Sequence, residues 1–264
     1  MPNLEILAQH NRERLAKAKE QYLGKTFSSN NFGDFIVVDY VNNKNITVEF
    51  ITTGYQTKTT TKEINQGKIA DRLKPSVFGV GIIGNNCPTS INNKTLKVYK
   101  LWNSMIERCY SDNPKKAFTT YKNCTISDSF LHYEYFYDWC NKQIGFNCAN
   151  FDLDKDLLIK GNKVYSESAC VFLPKEINLA LSTKKSQRGE SLIGVRKTKT
   201  GYQSRCNIRG KNYSLGTYKT EIEAFKAYKQ AKESYLKELA NKWKGKIDDM
   251  AYNALMNYQV DITD

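Results

Sequence analysis

Of three short β-forming runs in this sequence, GVRKT, YQSRCNI and NYSLG, the first carries Arg196 and the second Arg205, with Lys199 and Arg209 in the turns that follow them. On a narrow sheet an arginine fork can donate two parallel N–H bonds to O6 and N7 of a guanine, and a lysine neutralises phosphate. Such a set suits the major groove of a duplex. The competing account is a row of solvated edge charges that keeps the sheet from pairing with its neighbours. The distribution of charge weighs against that account. The 264 residues include 40 Lys and Arg and 27 Asp and Glu, a formal net charge of +13. Seventeen Lys or Arg but only five acids fall between Lys184 and Lys246, so this stretch holds twelve of the thirteen net charges. Solvated charges without a partner would be dispersed, whereas a concentrated excess calls for a polyanion. Double-stranded DNA fits grouped phosphate-seeking charges better than single-stranded RNA does.

Other reactive side chains are few. The chain has two histidines, His10 and His132, each in a helix-forming stretch and each read as structural or exposed rather than catalytic. Its seven cysteines (Cys87, Cys109, Cys124, Cys140, Cys148, Cys170 and Cys206) are nowhere closer than eight positions. That spacing offers neither a disulfide framework nor a paired-cysteine zinc site, so they read as reduced, mostly buried hydrophobes. No signal-like apolar run and no stretch long enough to cross a bilayer is evident, so a protein that stays inside the cell, with no membrane partner, is expected.

The elements that must position these side chains are those of a multidomain α+β protein. An amphipathic helix is expected over 1–23, with a ragged period of Leu4, Leu7, Leu15 and Tyr22. FIVVDY and ITVEFITTGY, separated by Asn42 to Asn45, read as a hairpin, and Thr57 to Glu63 as a further polar strand. These predict a small β-barrel over 24–90, of the Src-homology-three-like kind, able to bind nucleic acid or protein or to act as a spacer. A central domain is expected over 91–183. Tyr99, Trp102, Met105, Ile106 and Cys109 mark one helix, and Phe130, Tyr133, Phe136, Tyr137 and Cys140 a second running from Phe130 to Lys142. Both aromatic stripes are read as packing rather than as base-stacking platforms. After them come a strand, a Gly161-Asn162 turn, a strand around Ala169 to Leu173 and a helix entered at Pro174. Over 190–245 a three-stranded antiparallel sheet is expected, then a helix capped by Thr220 and Glu223 whose Ala224, Ala227, Tyr228, Ala231 and Tyr235 close a compact core. Residues 246–264 read as an acidic tail.

The C-terminal stretch resembles the Apetala-two-type domain of plant ethylene-response factors, which also occurs in phage and mobile-element nucleases. The matching residues are Gly194-Val195-Arg196, the Tyr202 to Ile208 strand, Leu215-Gly216-Thr217-Tyr218, and Glu223-Ala224 to Ala227-Tyr228. The resemblance implies DNA contact by Arg196, Lys197, Lys199, Tyr202 and Arg205; Arg209 and Lys211, at the following turn, are expected to join them as basic groups beside the sheet. Ile193 stands where plant members have an arginine, so their base specificity is not carried over.

The central stretch resembles the HNH-type core found beside such domains in phage proteins, on Trp102, Met105, Arg108-Cys109-Tyr110, Leu153-Asp154, Tyr165 to Cys170 and Asn178. In that family an Asp-His pair ends the first strand of a ββα-metal fold and an Asn or His on the helix completes the metal site. The histidine is the general base that activates water. The resemblance therefore implies Asp154 and Asn178 as ligands of Mg²⁺, the one cofactor expected, with Lys155 standing in place of the histidine. A lysine of ordinary pKa is protonated at pH 7 and cannot take a proton from water. Asp156 would be a weak substitute.

Taken together the two resemblances imply a phage-encoded protein of the bacterial cytoplasm. With these resemblances three functions remain open. The first is a DNA-binding protein on an HNH scaffold whose catalytic site is degenerate. The second is a working metal-dependent endonuclease of homing type, marked by the acid cluster Asp152, Asp154 and Asp156. The third is an interaction protein whose host protein partner is an enzyme, bound through the barrel or the acidic tail Asp248 to Asp264.

Overall fold

The structure, a computed structural model, describes residues 4–111, 123–182 and 191–264. It is a mixed α+β protein forming two compact units: Met1–Lys116 with Leu131–Glu134, and Ala117–Phe130 with Tyr135–Asp264.

The first unit opens with the expected helix, α1 (Leu4–Tyr22), and an antiparallel sheet of β1 (Thr26–Ser29), β2 (Gly33–Asn42), β3 (Asn45–Phe50) and β4 (Gln56–Thr59) in sequential order. Alternation along β2 and β3 buries Phe35, Val37, Ile46, Val48 and Phe50 on one face, over which Tyr22, Tyr55, Ile64 and Ile69 pack. The sheet does not close into the expected barrel. What fills the space beside β1 is a helix, α2 (Thr61–Gln66), and the residues after it: Asn30 N donates to Gly67 O at 2.9 Å and Ser29 Oγ to Ile69 O at 2.6 Å. The polar strand predicted through Glu63 stops at Thr59 for a local reason. Thr60 Oγ1 accepts from Glu63 N at 3.3 Å while the Glu63 carboxylate accepts from Thr60 N at 3.0 Å, a capping box that starts a helix. Hydrogen bonds from Thr59 and Thr60 also hold the Glu63 carboxyl below its ordinary range.

A two-residue hairpin, β5 (Ser90–Ile91) and β6 (Lys94–Thr95), precedes α3 (Lys97–Tyr110), which buries Trp102, Met105 and Ile106 of the expected stripe together with Val98, while Tyr99 and Cys109 are half-buried. The helix predicted from Phe130 to Lys142 is instead two, α4 (Asp128–Leu131) and α5 (Tyr133–Lys142). The break falls at exposed His132, where Ile82 N donates to Leu131 O and Tyr133 N donates to Ile82 O, taking both groups out of the helical ladder.

In the second unit, β7 (Thr125–Ile126) pairs in parallel with β9 (Val164–Tyr165), and β8 (Phe151–Asp154) pairs antiparallel with β10 (Val171–Pro174). α6 (Lys175–Leu181) leaves β10 directly, giving the strand–strand–helix order expected. β11 (Val195–Thr198), β12 (Gly201–Ile208) and β13 (Lys211–Tyr218) form the expected antiparallel sheet, with β12 central. Its inner face is covered by α7 (Glu221–Trp243), started by the Thr220/Glu223 capping box at 3.2 and 3.1 Å. Ile193, Cys206, Phe225, Tyr228 and Val260 are the core.

Residues 246–264 are not the free acidic tail that their charge predicts. α8 (Asp249–Met256) follows α7, and Ile247, Ala251 and Leu255, at four-residue spacing, are buried, as is Val260. The acids conceal that apolar stripe when only charge is counted. α7 itself runs beyond the sheet: the Trp243 ring meets Phe151 edge-on at 5.5 Å, and Glu176 of α6 accepts from Lys242 Nζ at 2.6 Å and from Trp243 Nε1.

Candidate nucleic-acid interface and acidic cavity

Register decides which side chains the sheet offers to a partner. Val195 lies opposite Ser204, and Ser204 and Cys206 are buried beneath α7, so the opposite parity faces outward. That outward set is Arg196, Gln203 and Thr217 in one row across the strands, Arg205 and Ser214 in the next, and Asn207 and Asn212 in the third. Arg196 and Arg205 are both exposed. Gln203 Nε2 donates to Ser214 Oγ at 3.1 Å and Asn207 Nδ2 to Asn212 Oδ1 at 3.4 Å, a polar ladder beside the arginines. Residues 191–220 contain seven Lys or Arg and no Asp or Glu.

The other residues expected to touch DNA are placed differently. Lys197, Tyr202 and Lys211 have the parity of the helix-covered face. On the edge strand Lys197 nonetheless joins Arg196, Thr198, Lys199 and Gln203 around a shallow depression of about 660 Å³. Lys199 sits in the β11–β12 turn. Arg209, at the β12–β13 turn, pairs its guanidinium with Glu238 of α7 and donates its backbone N–H to Tyr235 Oη at 3.0 Å. Lys232 is buried on the inner side, where burial holds its amine below the ordinary value, so part of the positive charge counted in this stretch is shielded from a partner. Lys184, Lys185 and Arg188, also in that count, lie outside the described residues.

A cavity of about 610 Å³ brings together Asp154, Asp156, Lys160 and Asn178 with Tyr258, Thr263 and Asp264. Asp154 ends β8, and its Oδ1 accepts from the backbone N–H of Asp156 at 3.0 Å and Leu157 at 2.8 Å. Asn178, on α6, has a buried Oδ1 with no hydrogen-bond partner among the described residues. Each of the two residues brings a hard oxygen donor to this cavity, the donor type that suits a cation such as Mg²⁺, which takes one or two protein ligands and fills its other positions with water and phosphate. Among the described residues no three His, Cys, Asp or Glu side chains gather into a fuller metal group.

Lys155 does not line this cavity. Its buried Nζ donates to Asp156 Oδ1 at 2.6 Å and Asn162 O at 3.0 Å and lies 5.7 Å from the centre of the Tyr165 ring. Asn162 returns the contact, donating from Nδ2 to Lys155 O at 2.8 Å and Val164 O at 2.6 Å. The turn residue Asn162 is thus the clamp of the β8–β9 loop, a role its turn propensity conceals. Cys170, buried beside Asp154, has its thiol pushed up to about 12 by burial, which removes it as a nucleophile.

Burial raises the Asp154 carboxyl above its ordinary value, against the opposing effect of the Leu157 and Asp156 N–H groups. A carboxyl whose pKa is higher folded than unfolded contributes stability that is present below the ordinary 3.8 and lost as pH rises through the folded value. Asp154→Asn keeps an oxygen acceptor for both N–H groups and has no charge to desolvate. It is expected to have a higher urea midpoint than the wild type at neutral pH, with the difference shrinking as pH falls below the carboxylate range. A midpoint difference independent of pH would show that Asp154 does not carry this cost.

No helix among the described residues is long and apolar enough to cross a membrane. Comparison with protein-family models, curated proteins and solved structures finds no match to this chain.

Proposed function

We propose that this protein binds duplex DNA through the outward face of β11–β13, on an HNH-like strand–strand–helix scaffold that lacks a working base. The observation that carries this reading is the outward face itself: Arg196 and Arg205 share it with Gln203, Asn207, Asn212 and Ser214, in a stretch without a single acid. Arginine forks and amide side chains are the groups that recognise guanine and adenine edges. A general base needs a free lone pair within hydrogen-bond reach of the water it activates, and the Lys155 amine is engaged as a donor to Asp156 and Asn162 and lies against the Tyr165 ring.

The cavity favours a second reading, a metal-dependent DNA endonuclease. The buried Asn178 Oδ1, without a partner among the described residues, shares it with Asp154, and these two are the residues that would hold Mg²⁺, a Lewis acid toward a phosphodiester. The two readings part in one assay. The full chain is incubated with supercoiled plasmid and Mg²⁺, Mn²⁺ or EDTA, and gel shift and nicking are scored in the same samples. A shift under all three conditions without nicking is expected. Metal-dependent nicking abolished by Asp154→Ala would establish the endonuclease, and no shift at all would remove both readings.

A further inference from the structure

The segment Tyr258–Asp264 lies against the cavity that holds Asp154 and Asn178, and it ends on one lysine. Lys160 Nζ is 2.7 Å from Oδ1 and 2.8 Å from Oδ2 of Asp264, donates to Gln259 O at 3.1 Å, and lies 5.6 Å from the centre of the Tyr258 ring. The segment braces itself. Asp261 Oδ1 accepts from Thr263 N at 2.9 Å and Thr263 Oγ1 at 2.6 Å, while Asp264 Oδ2 accepts from Asp261 N at 2.8 Å. Its other end is fixed to the sheet module: Val260 is buried in that core, Lys229 Nζ donates to Val260 O at 2.6 Å, and Val260 N donates to Glu233 at 2.8 Å. A preformed turn therefore presents one carboxylate, on a side chain 13% exposed, to the ammonium of a lysine side chain that is 45% exposed.

With both oxygens within reach of one ammonium, the Asp264 carboxylate takes the position that two non-bridging oxygens of a phosphodiester would take. Asp154 and Asp156 line the same cavity and would repel a nucleic-acid backbone, so a cation at the rim is what such a ligand needs.

We propose that Lys160 is a phosphate-binding residue at the rim of this cavity and that Asp264 occupies it in cis, an internal phosphate mimic that the DNA backbone displaces. The inference rests on the duplex-binding reading of the sheet, and the two can fail separately.

The test uses the full chain and a fluorescein-labelled duplex, with anisotropy titrations over a series of KCl concentrations. Asp264→Asn, which keeps an acceptor for Asp261 N, is expected to bind about threefold tighter than the wild type, the weight of a partly exposed ion pair. Lys160→Ala and Lys160→Gln are expected to bind more weakly and to reduce the slope of log K against log salt by about one, the signature of one phosphate fewer neutralised. Asp264→Asn combined with Lys160→Ala should bind no better than Lys160→Ala alone. Equal affinity of wild type and Asp264→Asn, or an unchanged salt slope in both Lys160 variants, overturns the proposal. Loss of binding on replacing Arg196 and Arg205 in the same titrations would then leave the sheet reading standing. Absence of binding by wild type and Asp264→Asn alike overturns both.

Discussion

Replacing Arg196 and Arg205 together by alanine is expected to weaken duplex binding by about 2–6 kcal/mol, at about 1–3 kcal/mol for each arginine–base pairing removed. The two positions lie on neighbouring rows of the outward face, and each is exposed. Their removal should therefore leave the urea midpoint nearly unchanged, since surface substitutions away from buried features usually stay within about 0.5 kcal/mol. Register also ranks the neighbouring side chains. Tyr202→Ala and Lys211→Ala change side chains of inward parity, and Arg209→Ala removes a group already paired with Glu238, so each should weaken binding less than either outward arginine. Lys199→Ala, in the turn, should lower affinity uniformly across sequences and reduce the salt slope by about one, as for a phosphate-binding lysine. The measurement is an anisotropy titration against specific and scrambled duplexes, paired with urea unfolding of each variant. Wild-type affinity in the double arginine variant would remove the sheet from the interface.

The largest effect on stability is expected at Gly194. Its φ is +74°, in the left-handed region that disfavours a side chain, and a Cβ built there would lie 2.1 Å from two carbons of the Tyr228 ring. That ring is buried in the core between sheet and α7, so it has little room to retreat. Gly194 O also accepts from Arg205 N at 2.7 Å, which ties the loop before β11 to the strand that carries the second arginine. Overpacking of a full core typically costs about 1–3 kcal/mol, and forcing a side chain into a left-handed backbone adds about 1 kcal/mol or more. Gly194→Ala should therefore lower the unfolding free energy by about 3 kcal/mol and, by disturbing the arginine platform, bind duplex poorly. A midpoint within experimental error of wild type would mean that Tyr228 does not close on this glycine.

Much of this architecture was legible from local pattern. The 3.6-residue spacing in α3, the alternation in β2 and β3, and the Thr220/Glu223 capping box each report interactions between residues close in sequence, and each element is present. The same holds for the β8, β10 and α6 order and for the three strands that carry Arg196 and Arg205. Some local signals were present yet masked: the Thr60/Glu63 box lies inside a run that reads as strand, and the stripe of Ile247, Ala251 and Leu255 lies among acids.

The remainder depended on partners distant along the chain. His132 breaks its helix because the backbone of Ile82, fifty positions earlier, takes the neighbouring peptide groups. The separation of Arg196 and Arg205 from Lys197, Tyr202 and Lys211 required knowing which face α7 covers, and a register shift between Ser204 and Arg205 alters the alternation on β13. The cavity joins Asp154 and Asn178 to Tyr258 and Asp264, roughly a hundred positions from Asp154, a meeting that no local period encodes. Residue type and spacing determined which segments form strands and helices and where positive charge concentrates, because those depend on backbone geometry and neighbouring side chains. Only the tertiary structure decided which charges face outward, which are paired, and that Lys160 is already held by Asp264, because those depend on burial and on interactions that the folded chain alone creates.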